Sequence, residues 1–365
     1  LNYGFNRAKL AWYNIEPVLQ DRRNTNNPID DNLLKNPSVR QVKVTEIYPN
    51  RTPEFGQAQL VTFDMAYYPA DIGPYNFEAR AGSVTAEGKL LSPKTRWGGI
   101  MRGLDQVDFE TGNVEFIEFW MQDPFLNNPT STGGQLYFNL GNISEDILRD
   151  GKRFFENGIS GSVTSALEDS STIWGKVPAN PIQVTQAFSN DPADRPLQDA
   201  GFDGLDDAAE QRKFARYLND LRTSFGETSA IYQQALKDPS RDDFKNYRDA
   251  SYTSRDGILQ RYKDINSPQG NSPVAGAGDQ FVSAFTLYPD QEEFNKDNTL
   301  NELEEYFQYK VELKTEELDE VGQNFITDVR SFTPSGGTPE KWYLFRIPIA
   351  EYEKKVGNIP DFKSI

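Results

Sequence analysis

The stretch that decides the fold runs from Trp97 to Asn142 and reads WGGIMRGLDQVDFETGNVEFIEFWMQDPFLNNPTSTGGQLYFNLGN. Phe109 to Phe125 is typical of a strand, and Gln135 to Leu140 is typical of a second one. Alternate residues of a strand point to opposite faces, and both sets of alternate residues in the first strand include large apolar side chains. We therefore expect both of its faces to be at least partly covered. Asp123-Pro124 ends this strand, because proline lacks a ladder donor. Two aromatic-rich strands joined by a Pro/Gly/Asn loop indicate a β-sandwich or jelly roll.

Strands return near the end of the chain, after a helical segment. Tyr306 to Leu313 alternates clearly, and Lys341 to Ile349 (KWYLFRIPI) is a strong strand pattern. Asp206 to Arg222 has apolar residues at helical spacing. The order of strands, helices and strands predicts a mainly β fold with an α insertion, an α+β chain. The predicted sandwich core consists of Phe116, Trp120, Phe138, Tyr309, Val311, Trp342 and Phe345.

These patterns also predict domain boundaries. Residues 1–142 plus 306–365 are assigned to the β-sandwich region, with residues 1–56 as a candidate separate linker or strand segment. Residues 143–305 are assigned to a helical, acidic insertion.

The composition limits the chemistry that this chain can perform. Its 365 residues contain no Cys and no His and carry a formal net charge of −17 at pH 7. Without cysteine, disulfides, thiol nucleophiles and Cys-based zinc sites are excluded. Without histidine, a Ser-His-Asp triad and imidazole metal ligands are excluded. The acidic charge would repel phosphate backbones, so we expect no nucleic acid among the partners, whereas it suits cations and basic proteins.

Targeting signals are not visible in this sequence. No apolar run approaches the roughly 18 residues of a membrane helix, and the first residues lack the apolar core of a signal peptide. The chain begins without Met. We therefore expect it to be a piece of a longer protein, with no membrane span of its own.

An Asp-rich segment, QDAGFDGLDDAAE, is the main candidate for a metal site. Asp199, Asp203, Asp206 and Glu210, with Asp207 beside them, place carboxylate oxygens at short spacings around a glycine. Oxygen ligands of this kind suit Ca²⁺, although the spacing is not that of an EF-hand. The alternative is an acidic turn followed by a helix N-terminus, which the helix dipole alone favours. Ca²⁺ is the one cofactor that the sequence suggests.

A second acidic segment, DQEEFNKDNTLNELEE, runs from residue 290 to residue 305. Asp290, Asp297 and Glu302 form a second candidate set of cation ligands. A solvated loop that precedes a strand is the simpler interpretation of the same residues.

Other chemistries find less support in the sequence. Glu115 and Glu118 are a carboxylate pair, as glycosidases require, but they fall on opposite faces of one strand. Exposed tryptophans stack on sugars in carbohydrate-binding proteins, whereas tryptophans in strands more often pack in a core. The candidates for stacking are Trp97, Trp120, Trp174 and Trp342.

Long and unusual runs of this chain resemble the SprA/Sov family. They are YYPADIGPYNF, RWGGIMRGLDQVDFETGNVEFIEFWMQDPF, GGQLYFNLGNISEDILRDGKRFFENG, QDAGFDGLDDAAE, DINSPQGNSP, DNTLNELEEYFQYKVEL and KWYLFRIPIAEYEKKVGNIPDFKSI. The matches occur in order and cover most of the chain. A second similarity, of fold only, is to galactose-binding-like jelly rolls, in which strands like VEFIEFWM, GGQLYFNLG and KWYLFRIPI build the sandwich.

The resemblance to SprA/Sov implies an outer-membrane translocon of the type IX secretion system that also serves gliding motility. It implies a β-barrel with soluble domains inserted between its strands, and this chain would be one such region. The implied partners are the remainder of the barrel, a PorV-like shuttle, a plug protein and secreted cargo. The implied location is the outer membrane, on its extracellular face or alternatively on its periplasmic face.

Three hypotheses about function follow. The first is a non-enzymatic region that shapes or caps a translocon pore and contacts cargo or partner subunits. The second is a carbohydrate-binding β-sandwich at the cell surface, which predicts sugar binding through an exposed tryptophan. The third is a hydrolase, which predicts turnover that a carboxylate substitution abolishes.

Overall fold

The structure, a computed structural model, describes residues 2–54, 56, 58–154, 172–176, 201–265, 291–295, 297–363 and 365. The strands of this part of the chain are β1 (Ala8–Tyr13), β2 (Val42–Lys43), β3 (Gln59–Leu60), β4 (Asp64–Ile72), β5 (Phe116–Gln122), β6 (Gly134–Asn142), β7 (Glu305–Leu313), β8 (Ile326–Phe332), β9 (Glu340–Pro348) and β10 (Lys354–Val356). The α-helices are α1 (Pro17–Gln20), α2 (Val44–Ile47), α3 (Asp207–Lys213), α4 (Ala215–Phe225), α5 (Ala230–Lys237) and α6 (Ile258–Arg261). The predicted mainly β fold with helices is confirmed.

The chain divides into two compact units. The helical unit consists of Leu1–Asn14, Phe63–Met101 and Glu145–Leu300, and the sandwich unit consists of Ile15–Thr62, Arg102–Ser144 and Asn301–Ile365. The division by contacts therefore places β1 and β4 with the helices. The boundaries read from the sequence, 1–142 plus 306–365 against 143–305, stay a prediction.

Two antiparallel three-stranded sheets form the sandwich unit's core. One sheet has the order β10-β7-β6 and the other has the order β5-β9-β8. Phe307, Tyr309 and Val311 alternate along β7, and all three are buried in this core. Phe119 of β5 and Phe138 of β6 meet between the sheets, with their ring centroids 5.3 Å apart. The apolar residues alternate along β7 because, as expected, one face of this strand packs against the core. The jelly-roll topology stays a prediction.

The opposite face of the β5-β9-β8 sheet is covered as well. Trp120 and Trp342 pack there with residues of β2, β3 and α2. Phe116 lies under the guanidinium of Arg346, whose Cζ is 3.9 Å from the ring centroid. Three of the seven predicted core residues, Phe116, Trp120 and Trp342, are thus on the other face of their sheet, and that assignment was wrong. Phe138, Tyr309, Val311 and Phe345 are in the core as predicted.

Two segments differ from the structure that their sequence pattern indicates. Residues 42–48 (VKVTEIY) alternate as a strand would, but Val44–Ile47 is a single helical turn. The cause of this turn is local, because the Glu46 carboxylate accepts a hydrogen bond from the backbone N–H of Lys43 at 2.8 Å and so satisfies a donor at the start of the turn. The strand expected from Phe109 begins only at Phe116, since Asn113 has a φ of 49° and turns the chain.

The helical unit combines the β1-β4 sheet with helices. Phe214, at the junction of α3 and α4, is buried and its ring centroid lies 4.4 Å from that of Phe77. Tyr13 of β1 is buried against Tyr262, 4.4 Å between ring centroids. The helices of this unit therefore pack through aromatic contacts. In the described residues, no helix combines the length and the apolar character that a membrane crossing requires.

Candidate functional site

The loop before α3 positions two of the predicted metal ligands in different ways. Asp206 is the N-cap of α3, and its carboxylate accepts a hydrogen bond from the N–H of Ala209 at 2.7 Å. Asp203 instead turns inward and is 1% exposed. Its backbone carbonyl accepts from the N–H of Lys176 at 2.8 Å, and a Cβ at Gly175 would lie 1.9 Å from that carbonyl oxygen. The close approach that glycine permits therefore fixes the Asp203 backbone.

Glu210 lies one helical turn beyond the cap, on the buried face of α3, and is also 1% exposed. Ser240 joins the two acids, because its hydroxyl donates to Asp203 Oδ2 at 2.9 Å and its backbone N–H donates to Glu210 Oε2 at 3.3 Å. The second oxygen, Glu210 Oε1, is buried and accepts no hydrogen bond from the described residues. An ionised carboxylate in this position lacks part of its solvation.

Asp242 completes a buried group of three carboxylates. Its Oδ2 accepts a hydrogen bond from the Tyr75 hydroxyl at 2.9 Å. One oxygen each of Asp203, Glu210 and Asp242 lies within 4.8 Å of the others. Gly201 makes room for this arrangement, since a Cβ there would be 2.0 Å from Asp242 Oδ2. We call Asp203, Glu210 and Asp242 the carboxylate triad.

Burial governs the protonation of Asp203 and Glu210. Desolvation raises the pKa of Glu210 well above its usual range, and the nearby Asp203 charge raises it further. Desolvation also raises the pKa of Asp203, against the hydrogen bonds that the carboxylate accepts. Two adjacent acids in a buried site cannot both stay ionised without compensation. Either a proton or a cation must therefore lie between them.

Glu210 also belongs to a second group of acids, with Asp207 and Asp238. Desolvation, followed by the charge of Asp243, raises the pKa of Asp238 to about 7. Asp238 Oδ1 is buried without a hydrogen-bond partner in the described residues. Arg241 lies close enough to lower that pKa, yet its own Nε and Nη2 have no acceptor in the same part of the chain.

The structure thus brings together two of the four residues first proposed as ligands. Asp203 and Glu210 meet, Asp206 caps a helix, and Asp199 lies outside the described residues. Asp242 and Ser240 were missed, since Ser240 is 37 residues from Asp203 in sequence. The run of acids in KDPSRDDF after α5 was the only local signal for them.

The second predicted set is more dispersed. Asp290 lies outside the described residues. Asp297 is exposed and accepts a hydrogen bond from the N–H of Thr299 at 2.7 Å. Glu302 is exposed and belongs to the sandwich unit, whereas Asp297 belongs to the helical unit. Metal binding by this set stays a prediction.

Sequence reasoning also missed a set of buried acids that bind the backbone. Glu292 accepts from the N–H groups of Leu148 and Phe154, both at 2.9 Å. Glu145 accepts from the N–H groups of Phe294 and Asn295 at 2.8 and 3.0 Å. These carboxylates hold the segment around residue 148 to the segment around residue 293, which is a structural role.

An apolar sheet face remains exposed in the helical unit. Trp12 pairs with Met65, and Leu10 pairs with Tyr67, so these side chains share one face of the β1-β4 sheet. Met65 is 47% exposed, and Tyr67 and Phe63 are 42% and 43% exposed. We call Trp12, Phe63, Met65 and Tyr67 the aromatic strip. A cluster of large exposed apolar side chains is typical of an interaction surface.

The tryptophans proposed for sugar stacking have different environments. Trp174 and Trp342 are buried, and Trp120 is partly buried. Trp97 is 41% exposed, and its ring centroid lies 6.3 Å from that of Tyr3. A stacking role is therefore open chiefly to Trp97.

Comparison with protein families gives one match. The family described as SprA_N, motility related/secretion protein, matches residues 216–365. The matched residues run from α4 to the end of the chain and include β7 to β10. A search of curated proteins finds no matching protein.

Proposed function

We propose that this chain, whose residues 216–365 match the family of SprA_N motility-related and secretion proteins, is a non-enzymatic region of a type IX secretion translocon in the outer membrane. Its task would be to shape or cap the pore and to contact partner subunits or cargo. Protein export and gliding motility would then depend on it. We propose the extracellular face as its location, with the periplasmic face as the alternative.

The aromatic strip is the observation that carries this proposal. Trp12 and Phe63 contact each other with ring centroids 5.5 Å apart, and their neighbours Met65 and Tyr67 remain exposed. The other face of the same sheet is packed, as the buried Tyr13 shows. A sheet that leaves one apolar face open is suited to a permanent contact, because obligate interfaces resemble a domain core. We therefore assign the strip to a subunit of the translocon rather than to passing cargo.

The acids of the helical unit support a non-enzymatic role. The carboxylate triad is closed off from solvent, with Asp203, Glu210 and Asp242 each 1–2% exposed. General acid–base catalysis needs a substrate within hydrogen-bond reach of the acid. A buried triad offers no such access, so it favours a structural function over hydrolysis.

The test uses the full-length translocon protein in its native cells. Met65→Asp together with Tyr67→Asp should reduce co-purification of partner subunits and secretion of cargo, because two charges would be buried at the interface. Val321→Asp is the matched control, since Val321 is 60% exposed on the sandwich unit. Wild-type co-purification and secretion by the double variant, at wild-type protein levels, would refute the proposal.

Carbohydrate binding is the second candidate, and the exposed Trp97 is the observation that favours it. Sugar rings stack on exposed indole faces in carbohydrate-binding proteins, and the Arg7 guanidinium already lies 5.5 Å from the centroid of this ring. A glycan array with the wild type and Trp97→Ala separates the two functions. Sugar binding that Trp97→Ala abolishes would favour the carbohydrate-binding module.

A further inference from the structure

The carboxylate triad is held by three segments that are distant in sequence. Asp203 comes from the loop before α3, Glu210 from α3 itself, and Asp242 from the segment that follows α5. All three side chains are buried. Folding therefore gathers three acids at one point, where their mutual repulsion in a low dielectric opposes the gathering.

Basic side chains do not neutralise the first two acids. In the described part of the chain, neither Asp203 nor Glu210 forms an ion pair with lysine or arginine. Lys213 is near enough to lower the pKa of Asp203, but its Nζ donates to the carbonyl of Thr172. Arg241 acts on the neighbouring Asp238. Either a proton shared between Glu210 and Asp203 or a bound cation must therefore compensate these charges.

A buried carboxylate oxygen without a hydrogen-bond donor indicates where the compensating charge lies. Glu210 Oε1 is buried and has no hydrogen-bond donor among the described residues, although nearly all buried polar atoms in proteins have a partner. Its carboxylate faces those of Asp203 and Asp242 within 4.8 Å. Oxygens bound to one Ca²⁺ at about 2.3–2.6 Å lie at most about 5 Å apart, so the spacing fits a shared ion.

We propose that Asp203, Glu210 and Asp242 bind one Ca²⁺ ion inside the helical unit. Ca²⁺ takes about six to eight oxygen ligands in flexible geometry, which three carboxylates can largely supply. Ser240 and Tyr75 orient the ligands, because their hydroxyls donate to Asp203 Oδ2 and Asp242 Oδ2, each at 2.9 Å. The ion would join the loop before α3 and α3 itself to the segment after α5, and the Tyr75 hydrogen bond would connect the loop after β4 to this site. This proposal does not depend on the translocon function.

Luminescence of Tb³⁺, a Ca²⁺ analogue, gives a direct test. The Tyr75 hydroxyl bonds to a proposed ligand, and the Trp174 ring centroid lies 6.4 Å from that of Tyr75. Excitation of these rings should therefore sensitise a bound Tb³⁺. With the chelator-treated full chain, we expect a saturable signal that Ca²⁺ displaces.

Two variants locate the ion. Glu210→Gln, which keeps the shape of the side chain, should weaken Tb³⁺ and Ca²⁺ affinity by about tenfold or more. Asp206→Asn is the matched control, because Asn caps a helix as well as Asp does, and it should leave the affinity within about twofold. Should Glu210→Gln fail to fold by circular dichroism, Asp242→Asn makes the same test and still accepts from Tyr75.

Two results would overturn the proposal. One is the absence of a saturable Tb³⁺ signal from the folded wild type. The other is a Glu210→Gln variant that binds Tb³⁺ as the wild type does. If the Glu210→Gln variant binds Tb³⁺ as the wild type does and also keeps wild-type thermal stability, the compensating charge is a proton shared between Glu210 and Asp203.

Discussion

Arg40 and Glu340, which are 300 residues apart in sequence, form a two-pronged ion pair in the sandwich unit, with Arg40 Nη2 donating to Glu340 Oε2 at 2.7 Å. Glu340 is 2% exposed and also accepts from Gln122 Nε2 at 3.0 Å. The same guanidinium binds Glu46 at 2.9 Å. The pair therefore links β9 to the segment that carries α2.

Removing one member of this pair should be costly. Arg40→Met would leave the Glu340 carboxylate buried and unpaired, which typically costs about 3–5 kcal/mol of unfolding free energy. The double variant Arg40→Met with Glu340→Met should be less destabilised than the single variant, because it removes both charges. Urea denaturation measures both. Equal losses in the two variants would show that the ion pair is not the source of the effect.

The stacked rings of Phe119 and Phe345 lie in the sandwich core. Their ring centroids are 5.0 Å apart, and Phe345 is fully buried. We expect Phe345→Ala to lower the unfolding free energy by about 3–5 kcal/mol, through lost burial and a residual cavity. Phe116→Ala, on the other face of the sheet, is the control and should cost less. A loss below about 1 kcal/mol for Phe345→Ala would contradict the assigned core.

Two glycines allow the energetic cost of a left-handed backbone to be measured separately from the cost of a steric clash. Gly133 and Gly336 have nearly the same φ, 70° and 71°, but only at Gly133 would a Cβ meet a neighbour, 1.9 Å from the carbonyl oxygen of Leu313. Gly336→Ala should cost about 1–2 kcal/mol from the left-handed conformation alone. Gly133→Ala should cost about 1–3 kcal/mol more. Chemical denaturation of both variants tests this difference, and equal losses would exclude the clash.

Glu292 should make stability depend on pH. Burial raises its pKa to about 8, against the hydrogen bonds from Phe154 and Leu148 and with help from Asp146 and Asp150. The folded chain then binds this proton more tightly than the unfolded chain, whose glutamate titrates near 4.3. This contribution is therefore fully present below about pH 4 and lost as the pH rises through about 8.

Denaturation at pH 5 and pH 8 tests the assignment to Glu292. Glu292→Gln cannot ionise, so the stability advantage of the wild type over this variant should shrink between the two pH values. Asp297→Asn, an exposed acid with a local hydrogen bond, is the control and should show a constant difference. A constant difference for Glu292→Gln as well would mean that its carboxylate is already ionised at pH 5.

The sequence by itself determined the elements whose causes lie within a few residues. The alternation of Phe307, Tyr309 and Val311 predicted β7 and its buried face. The spacing of Tyr217, Leu218 and Leu221 predicted helical structure over Asp206 to Arg222, which the structure divides at Phe214 into α3 and α4, and all three residues are buried. The family resemblance was likewise present in the sequence, and the match to residues 216–365 confirms it. Side-chain periodicity and local motifs carry this information directly.

Only the tertiary structure decided which residues meet. Asp242 joins Asp203 and Glu210 because α4 and α5 return the chain to the loop before α3. Trp120 packs outside the predicted core because β2, α2 and β3 provide a second apolar surface on the other face of its sheet. No local spacing encodes such contacts, since burial depends on where distant segments pack. The same acids that look like a solvated run in the sequence thus become a closed triad in the fold.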